Sequence, residues 1–268
     1  MIRLGVNSVL FRHFDFATAA RQIAACGYDG LEISAIRGMC EHLDLGRWRE
    51  QAPELRAVMA ETGLAFLSME VASTGDEARL LAAFEAGAEL GIPVVNVGPG
   101  GRSGSADDLQ ASIERLAGLA AKAEPYGVTL CVKAHVGAAI DNTPTTLQAM
   151  AAIPSPAFGI DMDPSHIYRA GEHPEVALAQ VLGRVRHIHI RDCRSGLTGP
   201  GPIELQACGR GDIDLQGYCA AMLAGGYDGP VCLEVIGAEP RHSLAQVSSV
   251  AAESAGYLNG CLQRLGAR

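Results

Sequence analysis

Asp163, His189 and Glu234 are oxygen and nitrogen donors of the kind that hold a hard or borderline divalent cation. Each lies at the carboxyl end of a short apolar run, and we interpret the three runs as consecutive strands. We therefore expect the three side chains to converge despite their separation in the sequence. The alternative is structural: Asp163 would cap the following turn, His189 would be a hydrogen-bonded core histidine, and Glu234 would simply end a strand.

Polar or ionisable residues end every one of the eight short apolar runs that we interpret as strands. These residues are Asn7, Glu32, Glu70, Asn96, Lys133, Asp163, His189 and Glu234. A single polar residue after a strand is common, because most loops lie on the surface. Polar residues at all eight ends predict a polar cavity over an apolar interior, where the loops that follow the strands converge.

The apolar runs alternate with helical segments at regular intervals, which predicts parallel strands that each return through a helix. We place the strands at residues 2–6, 30–33, 65–69, 94–97, 128–132, 158–162, 185–190 and 231–235. Eight such units close into a (β/α)8 TIM barrel of the α/β class, as a single domain over residues 1–268. A doubly wound open sheet usually has a Gly-rich phosphate-binding turn after its first strand, and residues 5–8 (GVNS) are not one.

Capping residues mark the starts of the predicted helices. Thr74 and Glu77 form a capping-box pattern ahead of an apolar helical repeat that stops at Gly91. The other candidate caps are Asp15, Ser105, Thr143 and Asp214.

Alternation along the strands places further groups beneath the predicted cavity. Lys133 shares a face of its strand with the small residue Cys131, which predicts that the lysine points inward. Asp161 and His187 lie two residues before strand-end donors, on the same inward face. Because buried ionisable groups need partners, we expect Asp161 and His187 to bond to each other or to nearby polar groups.

Composition limits the classes of function. Of the 268 residues, 48% are hydrophobic and 19% are charged, which is enough for a large buried core. The net charge of -9 disfavours nucleic acid and anionic membranes as partners, and no apolar stretch is long enough to span a bilayer. We find no secretion signal, and the eight cysteines are scattered, so we expect reduced thiols in a soluble cytoplasmic protein.

Four segments, in order along the chain, resemble the sugar phosphate isomerase/epimerase family with the xylose-isomerase-like barrel. They are residues 158–166 (FGIDMDPSH), 187–192 (HIHIRD), 209–214 (GRGDID) and 233–234 (LE). In that family a divalent metal, commonly Mn²⁺ or Mg²⁺, is held by Glu, Asp, His and Glu from the fifth to eighth strands. The resemblance therefore implies that Asp163, His189 and Glu234 are metal ligands and that His166 contacts the substrate.

The first ligand of that set is missing, because residues 133–135 are Lys-Ala-His where family members usually have Glu-Asn-His. In one hypothesis, the Lys133 ammonium occupies the metal position and orients substrate oxygens there. In the other, a weaker Mn²⁺ or Mg²⁺ remains on the three surviving ligands and Lys133 turns toward the substrate. An ammonium and a dication repel each other, so the two should compete. Since three ligands survive, we favour the retained metal.

The resemblance implies an isomerase or epimerase of a sugar or sugar derivative. Such an enzyme removes a proton next to a carbonyl and stabilises the resulting enediolate. Glu234 is the predicted base, and a metal, Lys133 or both supply the positive charge. If burial lowers its pKa, Lys133 could also return the proton. The predicted substrate contacts are His166, His135, Glu32 and Arg210.

Other functions stay open at this point. A lyase that dehydrates a cyclic polyol or keto acid begins with the same proton removal. A phosphodiesterase that acts on damaged DNA would need several metal ions and a basic mouth, and the net charge of -9 argues against it. A third alternative is a non-catalytic sugar-binding protein that has lost its metal. The small residues at positions 117–123 could mediate a homo-oligomer or pack within the barrel.

Overall fold

The computed structural model describes residues 2–196 and 199–268. Within this part of the chain, eight parallel strands form a closed sheet, and a two-residue strand, β3, pairs antiparallel with β2. The strands are β1 Arg3–Asn7, β2 Gly30–Ile36, β3 Cys40–Glu41, β4 Ala65–Ala72, β5 Val94–Val97, β6 Thr129–Lys133, β7 Phe158–Met162, β8 Val185–Ile190 and β9 Pro230–Leu233. Around the barrel the order is β1, β2, β4, β5, β6, β7, β8 and β9, and β9 closes on β1. The predicted TIM barrel is confirmed.

Helices cover the outside of the barrel and return the chain between successive strands. The α-helices in the described residues are α1 Phe16–Ala25, α2 Trp48–Thr62, α3 Glu77–Leu90, α4 Ala106–Ala123, α5 Thr143–Ala152, α6 Pro164–Arg169, α7 Pro174–Val181, α8 Leu215–Ala224 and α9 Leu244–Arg264. Their inward faces bury apolar side chains in one core that is continuous with the outer face of the strands.

Two helix starts differ slightly from the sequence prediction. The N-cap of α3 is Asp76 rather than Thr74, because the Asp76 carboxylate accepts the free backbone N–H of the first turn. In α5, Thr143 is the first helical residue, and Asn142 before it is the cap. The remaining predicted caps are confirmed at Asp15, Ser105 and Asp214.

Glycines allow the strands to approach closely at the amino-terminal end of the barrel. A Cβ atom on Gly5 would lie 2.6 Å from Cδ1 of Leu67, and one on Gly159 would lie 2.8 Å from Sγ of Cys131. No side chain larger than hydrogen fits at either position without movement. The lower barrel is therefore filled, and space for a ligand is left at the other end.

The parallel register brings the polar strand ends together at that other end. Paired positions include Asn7 with Glu32, Glu70 with Asn96, Lys133 with Asp161, and His189 with Cys232. All of these side chains are buried. The strand ends thus form one polar region inside the barrel, as the sequence predicted.

Two further features bear on the sequence predictions. No helix in residues 2–196 or 199–268 is both long and apolar enough to cross a lipid bilayer. All eight cysteines are free thiols, and all but Cys26 are buried. The buried thiols pack as small apolar residues.

Candidate active site

A cavity of about 330 Å³ opens at the carboxyl ends of the barrel strands. Its charged lining residues are Glu70, Lys133, Arg169, Arg191 and Glu234. His135 and His166 form part of one wall, and Ile36, Met39 and Ile236 supply apolar surface. The cavity therefore combines acids, bases and fixed cations with a partly apolar wall, as expected of a small-molecule site.

Lys133 lies at the centre of the site. From β6 its Nζ donates a 2.7 Å hydrogen bond to Oε1 of Glu234 and lies 3.4 Å from Oε1 of Glu70. Burial opposes the charged form of Lys133, but the acidic side chains of Glu234 and then Glu70 outweigh it and raise the pKa. Lys133 therefore stays protonated. The prediction that burial lowers its pKa and lets it return a proton is wrong.

The two glutamates beside Lys133 differ in protonation. Burial and the nearby Glu234 carboxylate raise the pKa of Glu70 to about 8. Burial also opposes ionisation of Glu234, but Lys133 and His189 outweigh it and hold the pKa of Glu234 well below its ordinary value. Glu234 is thus a carboxylate, and the raised pKa of Glu70 makes it the more readily protonated of the two, although its oxygens accept hydrogen bonds from Asn7 and Lys133.

His189 is held by carboxylates at both ring nitrogens. Nε2 hydrogen-bonds Oε2 of Glu32, and Nδ1 lies 2.6 Å from Oδ2 of Asp161. Burial disfavours the charged imidazole, yet the charges of Asp161 and Glu32 raise the pKa of His189 well above its usual value. Protonation of both ring nitrogens would leave His189 no free lone pair for a metal ion.

The predicted contact between Asp161 and His187 is confirmed. His187 Nδ1 lies 2.9 Å from Oδ1 of Asp161, and Nε2 is 2.8 Å from the Ser68 hydroxyl. Glu32 completes this set, and its carboxylate accepts hydrogen bonds from the side chains of Asn7 and Asn96. We call Glu32, Asp161, His187 and His189 the lower layer, because they lie beneath the cavity. Each of their side-chain polar atoms has a close polar partner.

Asp163 combines a structural contact with an unused acceptor. Its Oδ1 caps α6 by accepting hydrogen bonds from the N–H and hydroxyl of Ser165, at 2.8 and 2.7 Å. Its Oδ2 is buried without a hydrogen-bond partner among the described residues and lies 3.7 Å from Nη2 of Arg191. The structural interpretation of Asp163 is thus correct for one oxygen only.

Arg191 is a buried cation between two acids. Its Nε donates to the Ser165 hydroxyl at 2.8 Å, which fixes the guanidinium beside the cavity. Nη1 lies 3.9 Å from Oε2 of Glu234, and that oxygen also has no hydrogen-bond partner within the described chain. Nη1 and Nη2 also contact Gln206 and His166, at 3.4 and 3.2 Å. Arg191 and Glu234 line the cavity, and Asp163 lies next to Arg191. We call Glu70, Lys133, Asp163, Arg191 and Glu234 the upper layer.

His135 and His166 lie together on the cavity wall, with ring centroids 4.1 Å apart. Nδ1 of His166 accepts a hydrogen bond from the backbone N–H of Val136. Burial and the neighbouring cations lower the pKa of His166 to about 3, so its ring is neutral. Burial likewise lowers the pKa of His135. Both histidines line the cavity, and their role as substrate contacts stays a prediction.

Two other predicted substrate contacts lie elsewhere. Glu32 is completely buried in the lower layer, beneath the cavity. Arg210 is on the surface, where its guanidinium pairs with the Glu253 carboxylate, and its side chain is 54% exposed. The structure does not bring Arg210 to the cavity, since the loop that carries it bonds instead to Asp192 and α9.

Sequence reasoning did not assign roles to three charged residues that line the cavity: Glu70, Arg169 and Arg191. Glu70 was only one of the eight polar strand ends. Arg191 lies in the motif at residues 187–192, two positions after His189 and therefore on the same inward face. Strand alternation would have found Arg191, but no local signal separates Glu70 from the other polar strand ends.

Two buried clusters carry ligand atoms close enough to hold a metal ion: Glu32 with His187 and His189, and Glu70 with His189 and Glu234. As the side chains stand, neither fits one. The first cluster is joined by the hydrogen bond between His189 and Glu32, which takes a proton. In the second, Nζ of Lys133 lies within 3.4 Å of all three ligand atoms. Asp163 belongs to neither cluster.

Several solved structures share this fold. The zinc-bound IolI protein superposes with a TM-score of 0.79 at 17% identity, covering 98% of both chains. D-psicose 3-epimerase with D-fructose superposes with a TM-score of 0.78 at 15% identity, covering 98% of this chain and 99% of the other. The probable 3-DHS dehydratase AsbF from Bacillus anthracis superposes with a TM-score of 0.75 at 16% identity, covering 96% of this chain and 98% of the other.

At these identities the likeness concerns the fold alone, and comparison with curated proteins gives no match. The model of the family described as xylose isomerase-like TIM barrel matches residues 20–259, which is most of the chain. The protein therefore belongs to the xylose isomerase-like TIM barrel family.

Proposed function

We propose that this protein is an isomerase or epimerase of a sugar or sugar derivative, which acts by removing a proton from the carbon next to a carbonyl. The observation that carries the proposal is the contact between the Glu234 carboxylate and the Lys133 ammonium in the wall of the cavity. A base for a carbon-bound proton and a cation for the developing oxyanion are thereby within reach of one bound carbonyl compound.

Glu234 is the base in this mechanism. Its low pKa keeps it ionised, and Oε2 has no hydrogen-bond partner among the described residues, so a lone pair is available. The carbon–hydrogen bond breaks, the proton goes to Glu234, and the electron pair moves to the carbonyl oxygen. Lys133 and Arg191 supply positive charge to the enediolate in a buried site, where such charges act strongly.

Glu70 is the second acid. When protonated, Glu70 at the cavity wall can give its proton to the enediolate oxygen and later take one from the neighbouring hydroxyl. In an isomerisation Glu234 then returns its proton to the adjacent carbon, and in an epimerisation an acid delivers a proton to the opposite face of the same carbon, so that atoms and charges balance over each cycle. The Lys133 ammonium remains charged throughout.

The unpartnered oxygens of the upper layer support a hydroxyl-bearing substrate. A substrate hydroxyl beside Arg191 could donate to Oδ2 of Asp163, an oxygen that has no hydrogen bond within the described chain. His166 and His135 stand as further contacts on the same wall. Structural neighbours described with D-fructose or D-allulose add weight to this substrate class.

Exchange of the substrate's carbon-bound proton with solvent tests the proposal. Wild-type protein in D₂O is incubated with D-fructose, D-allulose and D-tagatose, and deuterium incorporation next to the carbonyl is followed by NMR. Glu234→Gln should lower exchange by about 10²–10⁴-fold, whereas Glu54→Gln, a surface change on α2, should leave it unchanged. If Glu234→Gln exchanges at the wild-type rate, its role as base is rejected.

Dehydration is the second candidate, favoured by the structural likeness to the probable dehydratase AsbF. It begins with the same proton removal, but the enolate then expels a hydroxide that Glu70 would protonate. Including 3-dehydroshikimate among the substrates separates the two reactions, since only dehydration produces a new ultraviolet-absorbing conjugated product. Saturable sugar binding without exchange or dehydration would indicate a binding protein instead.

A further inference from the structure

We propose that the Lys133 ammonium takes the place of a divalent cation in this barrel, and that the protein performs its reaction without a bound metal. The binding part of this inference stands on the geometry of the site. Only its catalytic part rests on the proposed function.

The position of Nζ is the first argument. Nζ lies 2.7 Å from Glu234, 3.3 Å from Nδ1 of His189 and 3.4 Å from Glu70, so it sits among the three atoms that could ligate a metal. A metal ion would need to approach the same atoms to about 2.0–2.2 Å. The ammonium and the ion would therefore compete for one space.

The ligands themselves are the second argument. Both ring nitrogens of His189 face carboxylates, and one oxygen of Asp163 is used to cap α6. With Lys133 in place, this leaves few donors for a cation, whereas catalytic metal sites usually offer three protein ligands. The histidine and aspartate that the family resemblance implies as ligands are thus engaged within the fold.

Charge is the third argument. Lys133 and Arg191 are both buried beside the cavity, with side chains 7% and 4% exposed. A dication at this place would meet two fixed positive charges that water screens poorly. The pairing of Lys133 with Glu234 already balances one carboxylate with one cation.

A carboxyl group from another strand compensates for the one that position 133 lacks. Lys133 is on β6, at the position where the resemblance leads one to expect a metal-binding glutamate. Glu70, on β4, brings a second carboxyl within 3.4 Å of the ammonium. The barrel therefore keeps two carboxyl groups around one positive centre, but the centre is an amino-acid side chain.

Metal titration tests the binding part. Mn²⁺ is titrated into the chelator-treated full-length protein, and binding is followed by calorimetry and by the electron paramagnetic resonance signal of the free ion. Wild type should bind no Mn²⁺ at this site. Lys133→Glu should gain one equivalent, at least about 100-fold tighter than any wild-type binding, and Lys133→Ala should gain weaker binding.

Lys122→Ala is the matched control, because it removes an exposed lysine from α4 and should bind as wild type does. Circular dichroism establishes that each variant is folded. Stoichiometric, tight Mn²⁺ binding by wild type overturns the inference. So does a failure of both folded Lys133 variants to gain binding.

The catalytic part is tested by measuring wild-type solvent exchange before and after EDTA treatment, and with added Mn²⁺. We expect the three rates to agree. Loss of exchange in EDTA that Mn²⁺ restores would overturn the inference and leave the proposed function intact. Absence of exchange under every condition would instead reject the proposed function, while the titration would still decide what occupies the site.

Discussion

The two layers of polar groups inside the barrel are equally buried but differ in how completely they are bonded. In the lower layer, Asp161 and Glu32 hold both histidines, and every side-chain polar atom lies within 2.9 Å of a polar partner, although Oδ2 of Asp161 meets Nδ1 of His189 as an ion pair and not as a hydrogen bond. In the upper layer, one oxygen each of Asp163 and Glu234 has none within the described chain. A fully bonded buried network stabilises a fold, whereas unpartnered buried atoms cost free energy unless a ligand meets them. We infer that the lower layer positions the site and that the upper layer contacts the ligand.

The largest expected effect comes from breaking the lower layer. Asp161→Ala removes the carboxylate that both His187 and His189 contact, and leaves an imidazolium without one of its partners. We expect the free energy of unfolding to fall by about 3–5 kcal/mol, the usual result of removing one member of a buried ion pair. Urea denaturation measures this. A loss below 1 kcal/mol would show that the layer contributes little to the fold.

Low pH should destabilise the protein through the same layer. Burial opposes ionisation, but His189 and His187 hold the pKa of Asp161 well below its ordinary value in the folded protein. The folded state then binds fewer protons than the unfolded state, so this stability is present above about pH 4 and is lost as pH falls toward the folded pKa. Thermal melts between pH 7 and pH 3 should show a falling midpoint, with a shallower fall in Asp161→Asn. Equal slopes in the two proteins would contradict the assignment to Asp161.

A change in the upper layer should affect the ligand more than the fold. Asp163→Asn keeps a side-chain oxygen that can cap α6 but removes the charge from the unpartnered side. We expect KM for a substrate to rise by about 10-fold, with unfolding changed by less than about 1 kcal/mol. Steady-state kinetics and urea denaturation on the same preparation provide the comparison. If stability falls while KM stays constant, Asp163 belongs functionally with the lower layer.

The smallest expected effect comes from a change at Ser68, which contacts the lower layer at His187. Ser68→Ala removes the hydroxyl that partners Nε2 of His187. The expected cost is about 1 kcal/mol of stability, that of one hydrogen bond, with solvent exchange unchanged. Differential scanning calorimetry and the NMR assay together check it. A matching loss of exchange would mean that the two layers are coupled more tightly than their contacts suggest.

Much of the fold could be predicted because its determinants are local and periodic. The alternation of apolar runs with capped helices needs only strand and helix periodicity, and it specified eight parallel strands. The caps at residues 74 and 143 were misplaced by one or two positions, because neighbouring polar residues compete for the same free N–H groups. Strand alternation also identified the buried contact between Asp161 and His187.

The sequence by itself determined which residues end the strands, and so which chemical groups the barrel gathers at one end. Only the tertiary structure decided which hydrogen bonds and ion pairs these groups form. In the structure both ring nitrogens of His189 face carboxylates, and Lys133 contacts both Glu70 and Glu234. Arg210 lies on the surface. The physical reason is that strand identity is encoded in neighbouring residues. The protonation and pairing of a buried group depend instead on charges brought to within a few ångströms from distant parts of the chain.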